Sequence, residues 1–371
     1  MSFRGRGYPV FFSPMNTTAS RFHVKVLLAL VMLLAASAAS SASPAFDDAQ
    51  IKHVEYPDWF SDDPFSDLAE QVEKARSEGK KGLMVLFTTE GCSYCYLFVT
   101  RSLGDQALAS RVQREFEAVG LEIFDDREMT APDGETMPIK AFADREGAAF
   151  APTLLFFGLD GKRVLKIVGY QSPERFAIIL DYVSGDHFRA QSLREYIAGT
   201  AEEGPKATPS AAGLREDPLF ARPPYDLDRC TKPASRPLLV IFERADCIEC
   251  DTFHSRVLAA EEVRETLERF EVVRLDAADD TTRVVDPRGD TVTPASWYAD
   301  SGFSRVPALM FFDEGGAAAL ETDALVLEQR MMNSLSYVLE RAYEQGWTYQ
   351  RFARSKGIAR WQEQQQSKAP Q

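Results

Sequence analysis

Two hydrophobic periods alternate along most of the chain. The run GLMVLFT at Gly82–Thr88 is continuously apolar and of strand length, which predicts an apolar strand. A helical stretch follows from about Cys95 through the amphipathic segment Ala107–Phe116, and a second strand is expected over Ala118–Phe124. After a longer excursion come a strand over Pro152–Phe157, the turn Leu159-Asp160-Gly161, a strand over Arg163–Val168 and a helix from about Pro173 to Val183. A helix over 64–79, opened by Asp63 and Pro64, precedes this series, and one near Gln191–Ile197 closes it.

The whole pattern then recurs. Val85, Phe87, Cys92, Cys95, Arg101 and Leu103 reappear as Val240, Phe242, Cys247, Cys250, Arg256 and Leu258, each displaced by 155 positions. The same offset carries Gly134 onto Gly289, Pro152 onto Pro307, Phe156–Phe157 onto Phe311–Phe312 and Tyr182–Val183 onto Tyr337–Val338. A register held that long marks an internal duplication, with each copy one structural unit. The expected class is α/β, two consecutive units each with a central mixed sheet flanked by helices. The boundaries are a first domain over 43–199, a linker over 200–217, a second domain over 218–356 and a frayed polar tail over 357–371. Pro223, Pro224 and Pro233 argue against a regular leading helix in the second unit.

The N-terminus reads differently. Arg21, His23 and Lys25 precede an apolar run from Val26 to Ala36 and then a small-residue stretch, the order of a secretory signal over 1–42 with cleavage near Ala38 or Ala42. The run is shorter than the about 20 apolar residues of a membrane-spanning helix, so no stable membrane insertion is expected after cleavage, and an uncleaved N-terminal anchor stays open as the alternative. Residues 1–42 carry four basic groups and no acidic ones, so their removal takes the formal net charge from −14 to −18. A chain that acidic repels nucleic acid, which is excluded as a partner.

The chemistry lies in the cysteines. Export puts Cys92, Cys95, Cys230, Cys247 and Cys250 where disulfides form, and four of them fall into two Cys-x-x-Cys pairs. Each pair follows a strand directly and opens a helix, whose N-terminal amides and dipole favour a thiolate on the first cysteine. Cys92 and Cys247 are the candidate nucleophiles, and Cys95 and Cys250 the candidate resolving thiols. Uncharged neighbours surround Cys92, whereas Asp246, Glu249 and Asp251 crowd Cys247 with negative charge, so the first site is expected to be the more reactive. Cys230 reads as a partly buried free thiol, with a resolving role toward Cys247 and Cys250 or a link between two chains as the alternatives. His254 is expected on a helix surface, and the strand before Cys247, taken as 238–242, holds no carboxylate. No cofactor or resident metal is expected, and the charged excursions 126–138 and 281–293 lack a calcium-loop spacing and read as solvated loops. Two alternatives stay open beside thiol chemistry: a zinc or copper carrier using the Cys pairs, and a non-catalytic binding protein.

The phrases LMVLFTTEGCSYC with FAPTLLFF, and LLVIFERADCIEC with RVPALMFF, resemble thioredoxin-fold domains. The resemblance is to the exported thioredoxin-like proteins of bacteria, a group that includes SoxW-type thioredoxins and the periplasmic C-terminal domain of DsbD. It implies a periplasmic thiol-disulfide oxidoreductase whose partners are protein thiols and disulfides and a redox donor or acceptor protein. It also implies that Pro152 and Pro307 are the family's cis-prolines, and that the backbone of Ala151 and Val306 pairs with a substrate segment as an added strand. The sequences Gly-Cys-Ser-Tyr-Cys and Asp-Cys-Ile-Glu-Cys depart from the family's Trp-Cys-Gly-Pro-Cys, which leaves the direction of exchange open.

Overall fold

Helix α1, Leu68–Ser77, starts at Asp67, whose carboxylate accepts from Glu70 N at 2.9 Å and so satisfies one of the amides a helix start leaves bare. These residues belong to a computed structural model that describes 46–61, 67–148, 150–200, 214, 216–245 and 247–368. The expected signal segment, the helix opening at Asp63–Pro64, Asp246 and most of the expected linker lie outside the described residues.

The first unit continues with β1 (Gly82–Thr88), α2 (Ser93–Leu97), α3 (Gln106–Glu115), β2 (Phe116–Glu122), β3 (Glu128–Thr130), β4 (Thr136–Pro138), α4 (Ile139–Arg145), β5 (Thr153–Gly158), β6 (Arg163–Val168), α5 (Pro173–Ser184) and α6 (Leu193–Thr200). The second unit has β7 (Tyr225–Asp226), β8 (Leu238–Glu243), α7 (Ile248–Thr252), α8 (Glu261–Leu267), β9 (Glu271–Asp276), β10 (Val284–Val285), β11 (Thr291–Val292), α9 (Pro294–Asp300), β12 (Ala308–Phe312), β13 (Ala318–Thr322), α10 (Glu328–Leu339) and α11 (Tyr349–Lys368). Two four-stranded mixed sheets result, ordered β2-β1-β5-β6 and β13-β12-β8-β9. In each, the strand that leads to the cysteines is central, parallel to one neighbour and antiparallel to the strand that follows the proline.

The central strands are buried on both faces, as their unbroken apolar runs require. Leu83, Val85 and Phe87 face one core with Phe142 and Phe157, while Phe98 packs edge-on against Phe176 across from it. Leu238, Val240 and Phe242 face the matching core of the second unit, with Trp297 and Tyr298.

The chain departs from expectation in two places and agrees with it in a third. The charged excursions fold into short strands: β3 pairs with β4, and β10 joins β11 and β7. The segment before β8 holds the strand β7 where the first unit has a helix, in keeping with its prolines. The tail expected to fray from 357 is helical through Lys368. Its polarity misled because the first turns of α11, through Tyr349 and Phe352, are buried against the rest of the protein.

The two units also pack against each other through matching positions. Gly169 meets Ala324, its repeat counterpart 155 positions on, and a Cβ on Gly169 would stand 2.4 Å from the Ala324 Cβ. Arg175 on α5 and Arg330 on α10 are also counterparts, and each reaches into the other unit. Contact of like with like is the pattern of a two-fold interface, here inside one chain.

Gly82 is required by close approach of strands. A Cβ there would lie 2.0 Å from the Phe157 carbonyl oxygen, so Gly82→Ala must push β1 from β5. The expected loss is about 1–3 kcal/mol in urea unfolding, and an unchanged midpoint would contradict this packing.

Candidate active sites at two cysteine pairs

Both Cys-x-x-Cys pairs are disulfides, Cys92 with Cys95 and Cys247 with Cys250. In each, the strand ends, the chain turns, and the first cysteine sits in extended conformation as the N-cap of a short helix. Cys92 Sγ accepts from Cys95 N at 3.1 Å and Cys247 Sγ from Cys250 N at 2.9 Å. The sulfur therefore takes the place of a capping oxygen, the position where helix amides stabilise a thiolate. The Ala151–Pro152 and Val306–Pro307 bonds are both cis, as the resemblance implies. Cys247 Sγ lies 3.6 Å from Val306 O, which brings the second pair and its proline loop together.

The surroundings differ. At the first site Ala151 and Pro152 are buried, and both backbone groups of Ala151 are bonded by side chains of the second unit. Ala151 N donates to Gln350 Oε1 at 3.0 Å, and Arg330 Nη2 donates to Ala151 O at 3.1 Å. Phe150 stacks on Tyr349 at 5.1 Å. The Arg330 guanidinium lies over the rings of Tyr94, at 3.5 Å, and of Phe150, at 4.6 Å.

Asp48 ties these groups into one node. Its carboxylate accepts from Gln329 N at 3.2 Å and Arg330 N at 2.9 Å, in the first turn of α10, and from the Tyr94 hydroxyl at 2.8 Å. It thereby caps a helix that starts 280 residues later and has no side-chain cap of its own. Tyr94 OH in turn accepts from Leu327 N at 3.0 Å. Burial pushes the Tyr94 phenol well above its ordinary range, so it stays protonated and can donate to Asp48.

At the second site Val306 and Pro307 are partly exposed, and Ile248, between the cysteines, is 78% exposed. Among the described residues, no protein group accepts from Val306 N–H. A cavity of about 170 Å³ runs beside Ile248, Phe253, Val306, Pro307, Leu325 and Leu327. The loop itself is braced from the first unit: Arg175 Nη2 donates to Ser304 Oγ at 3.1 Å and Arg305 Nη1 to Tyr170 O at 3.0 Å. Desolvation, then the neighbouring Arg305 charge, brings Arg175 down to about 10, which still leaves it cationic at neutral pH.

Glu243 escaped the sequence reading, and His254 and Cys230 stand otherwise than it expected. β8 extends one residue past the expected end, to Glu243, which is buried. Its Oε2 lies 3.0 Å from His254 Nε2 and 3.8 Å from the Arg274 guanidinium. His254 is thus not on the surface: its side chain is 8% exposed, because the helix turn after Cys250 points it into the sheet end rather than outward. Cys230 is free, as expected, but exposed rather than partly buried, since the loop after β7 faces outward there. Among the described residues no group of three or more His, Cys, Asp or Glu comes together as a metal site.

Comparison with known proteins fits this geometry. A family model described as a thioredoxin-like domain matches residues 68–184, and a second, described as thioredoxin-like, matches residues 231–314. Among curated proteins none matches the chain. Similar solved structures include a thioredoxin-fold protein from Helicobacter pylori, at 19% identity over 34% of this chain and 88% of that one, TM-score 0.29. A thioredoxin from Thermus thermophilus matches at 21% identity over 32% of this chain and 84% of that one, TM-score 0.26. The DsbD C-terminal domain of Neisseria meningitidis, in its reduced form, matches at 15% identity over 29% and 84%, TM-score 0.22.

Tyr94→Phe removes the phenol from the Asp48 node and leaves Leu327 N–H without its acceptor. The expected cost is about 1–3 kcal/mol in denaturant unfolding. A change within about 0.5 kcal/mol, the range of an ordinary surface substitution, would mean that the node does not hold the units together.

With a cysteine pair at a helix start and a facing cis-proline in each half, the chain is a protein of two thioredoxin-like domains in tandem.

Proposed function

We propose that the protein is a thiol-disulfide oxidoreductase that acts on other proteins, with its second site as the one that docks them. The observation that carries this reading is the uncovered N–H of Val306, whose carbonyl lies 3.6 Å from Cys247 Sγ, beside a largely apolar cavity rimmed by Glu249, Arg305 and Asp323. An extended segment pairs with such an edge through its main chain and lays a side chain in the cavity, which brings its sulfur to Cys247. The exposed Ile248 adds apolar contact.

The exchange conserves electrons at every step. A Cys247 thiolate attacks a partner disulfide, forms a mixed disulfide and expels one partner thiolate. The Cys250 thiolate then attacks Cys247 Sγ, closes the Cys247–Cys250 disulfide and expels the second partner thiolate. Run in reverse from the disulfide, the same steps oxidise a dithiol, so the poise of the compartment sets the direction. The apolar run Val26–Ala36 behind Arg21 and Lys25 supports export to the periplasm, where both pairs could cycle.

The test is an insulin or peptide-disulfide assay with single-cysteine variants. Cys250→Ala is expected to accumulate a mixed disulfide on Cys247, and Cys247→Ala to lose exchange at that site. Adducts that form on Cys250 in the Cys247→Ala protein at the ordinary rate would reverse the assignment, and no exchange by any form would refute the redox reading.

A further inference from the structure

We infer that the first site takes a small, carboxylate-bearing thiol or disulfide instead of a protein segment. This rests on the redox reading above and assigns the first site its own substrate class. The strand-pairing edge there is filled: Gln350 and Arg330 occupy the N–H and C=O of Ala151, which is fully buried. No incoming strand can pair with that residue while α10 and α11 are in place.

Cys92 is nonetheless reachable from another side. It lines a cavity of about 160 Å³ between the cysteine loop and α11. Space of that order accepts a molecule about the size of benzene, not a folded loop. Arg330, Arg354 and Arg360 border it. The acidic groups at its wall are already engaged, Asp48 by three donors and Glu90 by His53 at 3.1 Å. Arg360 Nε is buried without a hydrogen-bond partner among the described residues while its Nη1 donates to Asn333 Oδ1 at 3.3 Å, and Arg354 meets Glu122 at 3.4 Å. Two guanidinium groups, Arg354 and Arg360, held by bonds of only 3.3–3.4 Å beside a disulfide, define the ligand class.

From the disulfide form the chemistry balances. A small thiolate attacks Cys92 Sγ, joins it and expels the Cys95 thiolate. A second thiolate attacks the sulfur of the bound small molecule, which leaves as a symmetrical disulfide and frees the Cys92 thiolate. Two electrons enter the protein. The reverse reaction reduces a small disulfide.

The experiment uses full-length protein with one site kept, the other pair and Cys230 replaced by serine. Each reduced form is mixed with dithiodipropionate or cystamine, disulfides of matched length and opposite charge, and with insulin. At the first site the ratio of the dithiodipropionate rate to the cystamine rate is expected to exceed that at the second site by about tenfold. Arg354→Gln with Arg360→Gln should bring the ratio back toward that of the second site, and insulin should react more slowly at the first site. Gln350→Ala should raise the insulin rate there by freeing the Ala151 amide. Equal charge ratios at the two sites, or insulin exchange at the first site as fast as at the second, would overturn the inference while leaving the redox reading standing. Silence of both sites toward all three disulfides would overturn both.

Discussion

The Asp48 carboxylate is the interaction on which the inequality of the two sites depends. It binds two first-turn amides of α10 and the Tyr94 hydroxyl, so one side chain joins the N-terminal segment, the first cysteine loop and the second unit. With α10 fixed in this way, Arg330 is held over Tyr94 and within reach of Ala151 O, and Tyr349 and Gln350 on α11 close over Phe150 and Ala151. Hydrogen bonds shared by one partly buried side chain reinforce one another. Here they set which backbone edge remains open to a partner.

The duplication explains why one site is covered and the other is not. Arg175 and Arg330 occupy the same place in the repeat, and each reaches across to the other unit's proline loop. Beyond them the copies diverge: the counterpart of Gln350 is Glu195 on α6, whose carboxylate accepts from Ser192 N at 2.7 Å within its own unit. Gln350, on α11, is the residue that reaches the Ala151 amide. The residues between the cysteines diverge in step. Tyr94 anchors the first loop against α10, while its counterpart Glu249 stands at the rim of the second cavity.

Much of this was legible in the sequence. The unbroken apolar run at Gly82–Thr88 and its repeat at 238 gave the central strands, and the two Cys-x-x-Cys pairs with their following prolines gave both sites. What could not be read was the packing between the halves. Arg330 and Gln350 look like ordinary polar helix positions, and Asp48 stands in a segment without periodicity, so local pattern carries no sign that they converge. The repeat held one unused clue, since the 155 offset also relates Arg175 to Arg330. The expectation that uncharged neighbours make Cys92 the more reactive thiol considered only adjacent residues. Cys92 is 9% exposed and lies under α10 and α11, so access becomes a second control on reactivity. Glu243 was missed because the expected strand stopped one residue short, and with it the buried partner of His254.

The central claim is that the Ala151 edge is sealed by the second unit and the Val306 edge is open. Amide hydrogen exchange reads this directly, because both amides stand at the same place in the repeat before a cis-proline. The account predicts that the Ala151 amide, bonded to Gln350 Oε1 and buried, exchanges about as slowly as the strand amides of its sheet. The Val306 amide should exchange at a rate close to that of exposed loops. Equal protection at the two positions, or faster exchange at Ala151, would contradict it.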